Sequence, residues 1–224
     1  MNYTFQFGQI VAYLPYLIGG AWLSLQIAFL AFCGGMVIGL ACAAVKTFGG
    51  GALRAAVSAY VSFFMNTPQL VQIYFLFFVL PDQGILLSPY QAVLIGMTLN
   101  AGAYLTEIQR AGFLSVHRAE LEAAETLGMS TLQTVRYVIL PHIMRVLFPS
   151  LANQYILMTL GTSMAAIFGV EELTGRAFNI SSKTFRTIEV FTTAAGLYVI
   201  ITLIATFALA EVGRRYFRAR MRIV

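Results

Sequence analysis

The stretch LPYLIGGAWLSLQIAFLAFCGGMVIGLACAAV, residues 14–45, carries no charged side chain, and the first one after it is Lys46. A helix rises 1.5 Å per residue, so about 20 apolar residues in a row cross the hydrocarbon of a bilayer. Residues 14–45 are long enough to do so with some to spare. Met1 to Gln9 hold neither Lys nor Arg. A cleaved secretory signal has a positive leading region and a small-residue cleavage site, so this first apolar stretch is expected to remain as a membrane span.

Four further apolar stretches follow, at residues 56–79, 91–106, 147–168 and 190–210. The third is short and ends in Glu107 and Arg110. The chain as a whole is 59% hydrophobic and 10% charged over 224 residues, with a mean hydropathy of +0.79. Soluble domains carry about 45–50% apolar and about 25% charged residues. A chain this apolar cannot cover a water-facing surface with polar groups. The fold class expected is therefore an all-α integral membrane protein with about five transmembrane helices, in one domain spanning residues 1–224.

The charges give that bundle a direction. Lys46, Arg54, Arg110, Arg118, Arg136, Arg145 and the tail arginines 214, 215, 218, 220 and 222 all fall on one side of a five-span chain. Only Arg176, Lys183 and Arg186 fall on the other, in the company of Glu171, Glu172 and Glu189. Cytoplasmic loops hold the excess of Lys and Arg, which puts the N-terminus outside and the C-terminus in the cytoplasm. The net charge of +5 reflects topology; nucleic-acid binding needs a clustered basic face with groove-fitting elements.

Other chemistries lack their residues. Cys33 and Cys42 sit in one apolar stretch without a Cys-x-x-Cys pair, and the histidines are His117 and His142 alone, so metal and redox sites have no support. Asp82 is the sole aspartate, which leaves an intramembrane hydrolase without paired catalytic groups. Gly49-Gly50-Gly51 is not followed by Gly-Lys-Ser/Thr, so no phosphate-binding loop is present. The chain is expected to bind no cofactor of its own.

Two features inside the spans stand out. Gly35-Met36-Val37-Ile38-Gly39 is a small-xxx-small pattern that lets helices approach closely. In the second span, Asn66-Thr67-Pro68-Gln69-Leu70-Val71-Gln72 places a proline among polar side chains. Proline removes a backbone hydrogen bond and kinks a helix, and polar groups at membrane depth are costly unless they face protein or water. Either amides glue helices together here, or the side chains line a path. Glu107 and Arg110, three apart, suit an intrahelical ion pair better than a substrate contact.

Between Gln109 and Pro141 the chain turns polar. Residues 119–127, AELEAAETL, are strong helix formers, and Gly128 suits the left-handed end of a helix. Ser130-Thr131-Leu132-Gln133 has the form of a capping box opening a second helix. Leu132, Val135, Val138 and Ile139 give it an apolar stripe, and it is expected to stop before Pro141. Two short helices joined by a sharp turn should thus project on the cytoplasmic side.

Glu122-Ala123-Ala124, three residues, Gly128, nine residues, and then Val138-x-Leu140-Pro141 resembles the EAA loop of membrane subunits of ATP-binding-cassette (ABC) importers, with Val138 for the usual Ile. The stretches 66–72 and 103–112, together with Asn153-x-x-Ile156 through Thr162-Ser163-Met164, look like the polar amino-acid permeases of that superfamily. The resemblance implies a type I ABC-importer transmembrane domain in the bacterial inner membrane, forming half of a translocation path. In that family the EAA loop supplies a coupling helix seated in a groove of a cytoplasmic ATPase subunit, so Glu122, Ala123, Ala124, Gly128, Leu140 and Pro141 would couple to the ATPase. Asn66, Thr67, Pro68, Gln72, Thr162 and Ser163 would line the substrate path. The implied partners are an ATPase dimer, a second permease subunit and an external amino-acid-binding protein, with ATP used by the ATPase. One departure matters: relatives carry a charged pair, Lys-Asp or similar, where this chain has Leu160-Gly161. A stand-alone channel, a secondary transporter or a scaffold without transport remain the alternatives.

Overall fold

The computed structural model describes residues 4–217; Arg218, Arg220 and Arg222 lie outside the described residues. In chain order the helices are α1 (Gly8–Val11), α2 (Leu14–Phe48), α3 (Gly51–Met65), α4 (Gln69–Tyr74), α5 (Pro89–Leu114), α6 (Arg118–Thr126), α7 (Thr131–Thr134), α8 (Leu140–Gly161), α9 (Leu173–Thr184) and α10 (Thr187–Val212), and among the described residues there is no strand.

Among the described residues, three continuous helical rods are long and apolar enough to cross a membrane: Leu14–Phe48, Thr131–Phe168 and Thr187–Phe217. The first and last contain the sequence-derived spans 14–45 and 190–210. Along α10, Val199, Ile200, Leu203, Ile204 and Phe207 are exposed. In lipid such a face is stable, because the helix satisfies its backbone polar groups internally.

The remaining spans differ from expectation in instructive ways. The stretch 56–79 is not one kinked helix: Gly51–Met65 and Gln69–Gln83 meet at 104°, as a broken span or a re-entrant loop. Pro68 explains the sharpness. Its ψ of 131° is extended backbone, and the residue before a proline is steered away from the helical region as well. Helix α5 exceeds the expected 91–106 at both ends. Its 26 residues would reach about 39 Å, yet it is not among the helices apolar enough to span by composition. Asn100, Thr106, Glu107, Gln109 and Arg110 dilute it.

The expected stop before Pro141 does not occur. Val135–Ile139 forms a π-helical turn that feeds directly into α8. A proline inside an α-helix lacks its N–H and drives its ring toward the carbonyl four residues back. A wider π turn in that position, just ahead of Pro141, relieves the conflict, and the helix carries on.

By packing, the chain forms two compact units. One holds the chain through Cys33, Thr67–Thr98 and Tyr155–Ala205. Its core is Ile10, Leu17, Ala21, Leu173, Ala177, Ile180, Val190 and Ala194. Gly20 lets α9 come close, since a Cβ there would sit 2.9 Å from the Leu173 Cα.

The other unit holds Gly34–Asn66, Leu99–Gln154 and the chain from Thr206. Here the small-xxx-small pattern is used as expected. A Cβ on Gly35 would lie 2.8 Å from the Ala101 Cβ, and one on Gly39 would lie 2.9 Å from the Leu105 Cβ. Helices α2 and α5 therefore touch nearly backbone to backbone, and Gln109 Nε2 donates across that contact to the Met36 carbonyl at 3.2 Å.

The two units also divide the cations. Among the described residues, the first contains Arg176, Lys183 and Arg186 alone, and the other described Lys and Arg belong to the second. Loops far apart in sequence thus gather into the same two groups that the charge count defines.

Candidate functional site

The elbow between α6 and α7 is built as its residues dictate. Helix α6 ends in a Schellman motif: Gly128 N–H donates to the Glu125 carbonyl at 2.9 Å, and Met129 N–H to the Ala124 carbonyl at 3.0 Å. Gly128 has φ +69°, a left-handed conformation that a side chain would strain. After the turn, Ser130 and Gln133 complete a reciprocal capping box. These bonds satisfy backbone groups that helix ends otherwise leave bare.

Each residue of the coupling set has a place on this elbow. Ala124 is buried at 2% exposure, while Ala123 is exposed. Glu122 is exposed and pairs with Arg118 at 3.4 Å, one turn back. Leu140 and Pro141 are exposed on the rod that the π turn opens. Leu127, Leu132 and Tyr137 present large apolar side chains at 79%, 76% and 65% exposure, a surface suited to covering by a partner.

Sequence reasoning did not find what holds the elbow. His142, on the first turn of α8, lies with Nδ1 3.3 Å from Glu120 Oε1 of α6. Its Nε2 is 3.1 Å from the Ser115 carbonyl just past α5. The same unit ties α5 to α2, where Glu107 accepts from both Lys46 and Arg110. The expected Glu107–Arg110 pair is present, with Lys46 added.

The break region is distributed over both units. Thr67, Pro68, Gln72, Thr162 and Ser163 belong to one, Asn66 to the other. Gln72, buried at 8% exposure, uses its Nε2 to donate to the Thr67 Oγ1 at 2.8 Å and the Thr67 carbonyl at 3.1 Å. It thereby ties α4 back to the non-helical joint ahead of it. Asn66 Nδ2 donates to the Ser62 carbonyl at 2.7 Å, capping α3. Thr162 is buried and donates to the Thr159 carbonyl at 2.7 Å, while Ser163 is half-buried.

Gln69 joins this region to the 160–163 segment. A Cβ on Gly161 would lie 3.6 Å from Gln69 Oε1, so the neutral glycine leaves room for an amide beside it. Among the described residues, no group of three or more His, Cys, Asp or Glu has a metal-binding arrangement.

A third feature is Glu172, with 0% exposure. Its Oε1 caps α9 by accepting from Gly175 N–H at 2.9 Å, and its Oε2 accepts from Ser24 Oγ at 2.9 Å and Tyr198 OH at 2.7 Å. The sequence places Glu172 in a loop, and no local pattern marks it as buried; only its position just before a helix hints at a cap.

Apolar rods, a polar break and a two-helix elbow define an integral membrane transport subunit. The family described as "Binding-protein-dependent transport system inner membrane component" matches residues 35–223, and the chain belongs to it. The glutamine transport system permease protein GlnP of Escherichia coli K12 is 37% identical over 213 residues, covering 94% of this chain and 97% of that protein. The L-cystine transport system permease protein TcyB of Bacillus subtilis is 34% identical, covering 92% and 89%. A crystal structure of an amino acid ABC transporter with histidines superposes with a TM-score of 0.87 at 31% identity, covering 95% of this chain and all of that one. The inward-facing methionine transporter MetNI, at 23% identity and a TM-score of 0.70, shares the fold. The chain is a multi-pass membrane permease subunit of an ABC importer, not an enzyme, and systems of this family work with an ATPase and a binding protein.

Proposed function

We propose that this subunit forms half of the translocation path for a polar amino acid and is driven through the 118–141 elbow by an ABC ATPase dimer. The observation that carries this reading is the elbow itself: a rigid, doubly capped turn with exposed apolar side chains, continuous with an apolar 38-residue rod. A push on such a turn passes into the rod as a rigid-body movement. Glu122, Ala123, Ala124, Gly128, Leu140 and Pro141 are the coupling residues of this reading.

The whole chain acts as one permease domain of five spans in the bacterial inner membrane, counting the bent pair 51–83 as one and α5 as another. Its N-terminus faces out and its C-terminus faces the cytoplasm. It pairs with a second permease subunit, receives substrate from an external amino-acid-binding protein, and binds no cofactor, the ATP being used by the ATPase. Asn66, Thr67, Pro68, Gln72, Thr162 and Ser163 lie along the path. Glutamine and cystine, named for two relatives, are the first substrates to assay.

The test is purification of the complex and uptake of labelled amino acids in proteoliposomes, with wild type and Gly128→Asp compared. Wild type is expected to retain the ATPase and take up substrate only with ATP. Gly128→Asp is expected to lose both. Ion-gradient-driven uptake without an ATPase would overturn the reading in favour of a secondary transporter.

A further inference from the structure

His142 sits where three pieces of chain meet. Its Nε2 faces the Ser115 carbonyl at 3.1 Å. A carbonyl only accepts, so that nitrogen carries a proton. Its Nδ1 faces Glu120 Oε1 at 3.3 Å. In the neutral ring that nitrogen would then offer a lone pair to the lone pairs of a carboxylate. The contact is attractive only when one proton lies between them, on the ring or on the acid.

The surroundings make the need sharper. Glu120 Oε2 is buried, and among the described residues no donor reaches it; the side chain as a whole is 36% exposed, and His142 stands beside its other oxygen. The other charged groups nearby are otherwise engaged or turned to solvent. Arg118 of α6 pairs with Glu122. Glu107 of α5 pairs with both Arg110 and Lys46. Arg145, one turn along α8, is exposed. His117 places its ring edge-on to that of His142 at 6.4 Å.

We propose that His142 is a positioning residue: by sharing one proton with Glu120 while holding the Ser115 carbonyl, it locks the elbow helix to the ends of α5 and α8, so that elbow movement reaches the spans without slip. The proposal rests on the coupling reading of the elbow. The lock is closed while the pair holds that proton and opens when rising pH removes it. Glu120→Gln supplies that proton covalently, because an amide N–H donates to a neutral Nδ1. This variant should stay locked at every pH.

Two measurements on the full complex test the idea. The first is substrate moved per ATP hydrolysed, followed from pH 6 to 8.5 on the ATPase side. Wild type should fall by about two- to thirtyfold, the span of typical coupling changes. His142→Ala should be low throughout, and Glu120→Gln high and flat. The second is the ring-nitrogen NMR signal of His142, identified against His117→Gln. It should report a protonated Nε2 and an Nδ1 signal that moves in Glu120→Gln; an unmoved Nδ1 signal would mean that no proton is shared with the acid. Gly128→Asp separates the two levels. If it uncouples the complex while His142→Ala and pH have no effect, the lock is wrong and the elbow reading stands. If Gly128→Asp also leaves coupling intact, both fall.

Discussion

At the scale of single residues, two positions carry more consequence than their chemistry suggests in isolation. Glu172 gathers Gly175 N–H, the Ser24 hydroxyl and the Tyr198 hydroxyl around one buried carboxylate. Removing it leaves the buried Gly175 N–H without its acceptor, at about 1–3 kcal/mol, and strips the Ser24 and Tyr198 hydroxyls of one partner each, the Gly20 carbonyl and Thr174 Oγ1 remaining. Glu172→Ala should therefore lower the thermal unfolding temperature of the purified subunit far more than Tyr198→Phe, which removes one donor and leaves two in place. Equal effects would mean that the carboxylate does not organise the cluster. Glycines offer a matched contrast. An added Cβ at Gly39 meets Leu105 and Thr106 main-chain atoms at 3.0–3.1 Å, and overpacking of that kind costs about 1–3 kcal/mol. At Gly196 nothing lies within 4 Å, and replacing a helical glycine stabilises by about 0.5–1 kcal/mol. Gly39→Ala should thus destabilise and Gly196→Ala stabilise, in the same thermal assay.

At the scale of elements, the elbow was legible because its information is local. Gly128, Ser130 and Gln133 each satisfy backbone groups within a few residues, and the structure places the turn and the capping box where the residue types require. The continuation through Pro141 was not legible, since a π turn accommodates a proline by a hydrogen-bond shift that leaves no residue signature. The 104° break was half legible. Pro68 announces an interruption, but the bonds by which Gln72 reaches back to Thr67 are not revealed by spacing alone. Burial of Glu172 and the role of His142 depend on partners from distant segments and were invisible to any local pattern. The Schellman bonds can be checked directly. In Gly128→Ala the left-handed φ costs about 1 kcal/mol, so exchange of the Gly128-site and Met129 amides should quicken about fivefold, with the α10 amides unchanged. Slower or equal exchange would show that the turn tolerates a side chain.

For the molecule as a whole, the question is which side of the membrane each group of cations occupies. The sequence argument counts charges along the chain, and the structure groups those loops by packing, with Arg176, Lys183 and Arg186 in one unit and the other described cations in the other. Insertion orients the positive group toward the cytoplasm, so the elbow and the loops that share its charge should face the cytoplasm. Single cysteines at exposed positions, placed in a Cys33→Ser, Cys42→Ser background, read this out. Ser182→Cys should react with a membrane-impermeant maleimide on intact cells, and Ala123→Cys only in inverted vesicles, in cells lacking the ATPase so that no partner shields the elbow. Labelling of both positions from one side would require an even number of crossings between residues 123 and 182. The rod Thr131–Phe168 is the single apolar crossing between them, so that outcome would remove it from the membrane and, with it, any route by which an elbow on the cytoplasmic face could move the path.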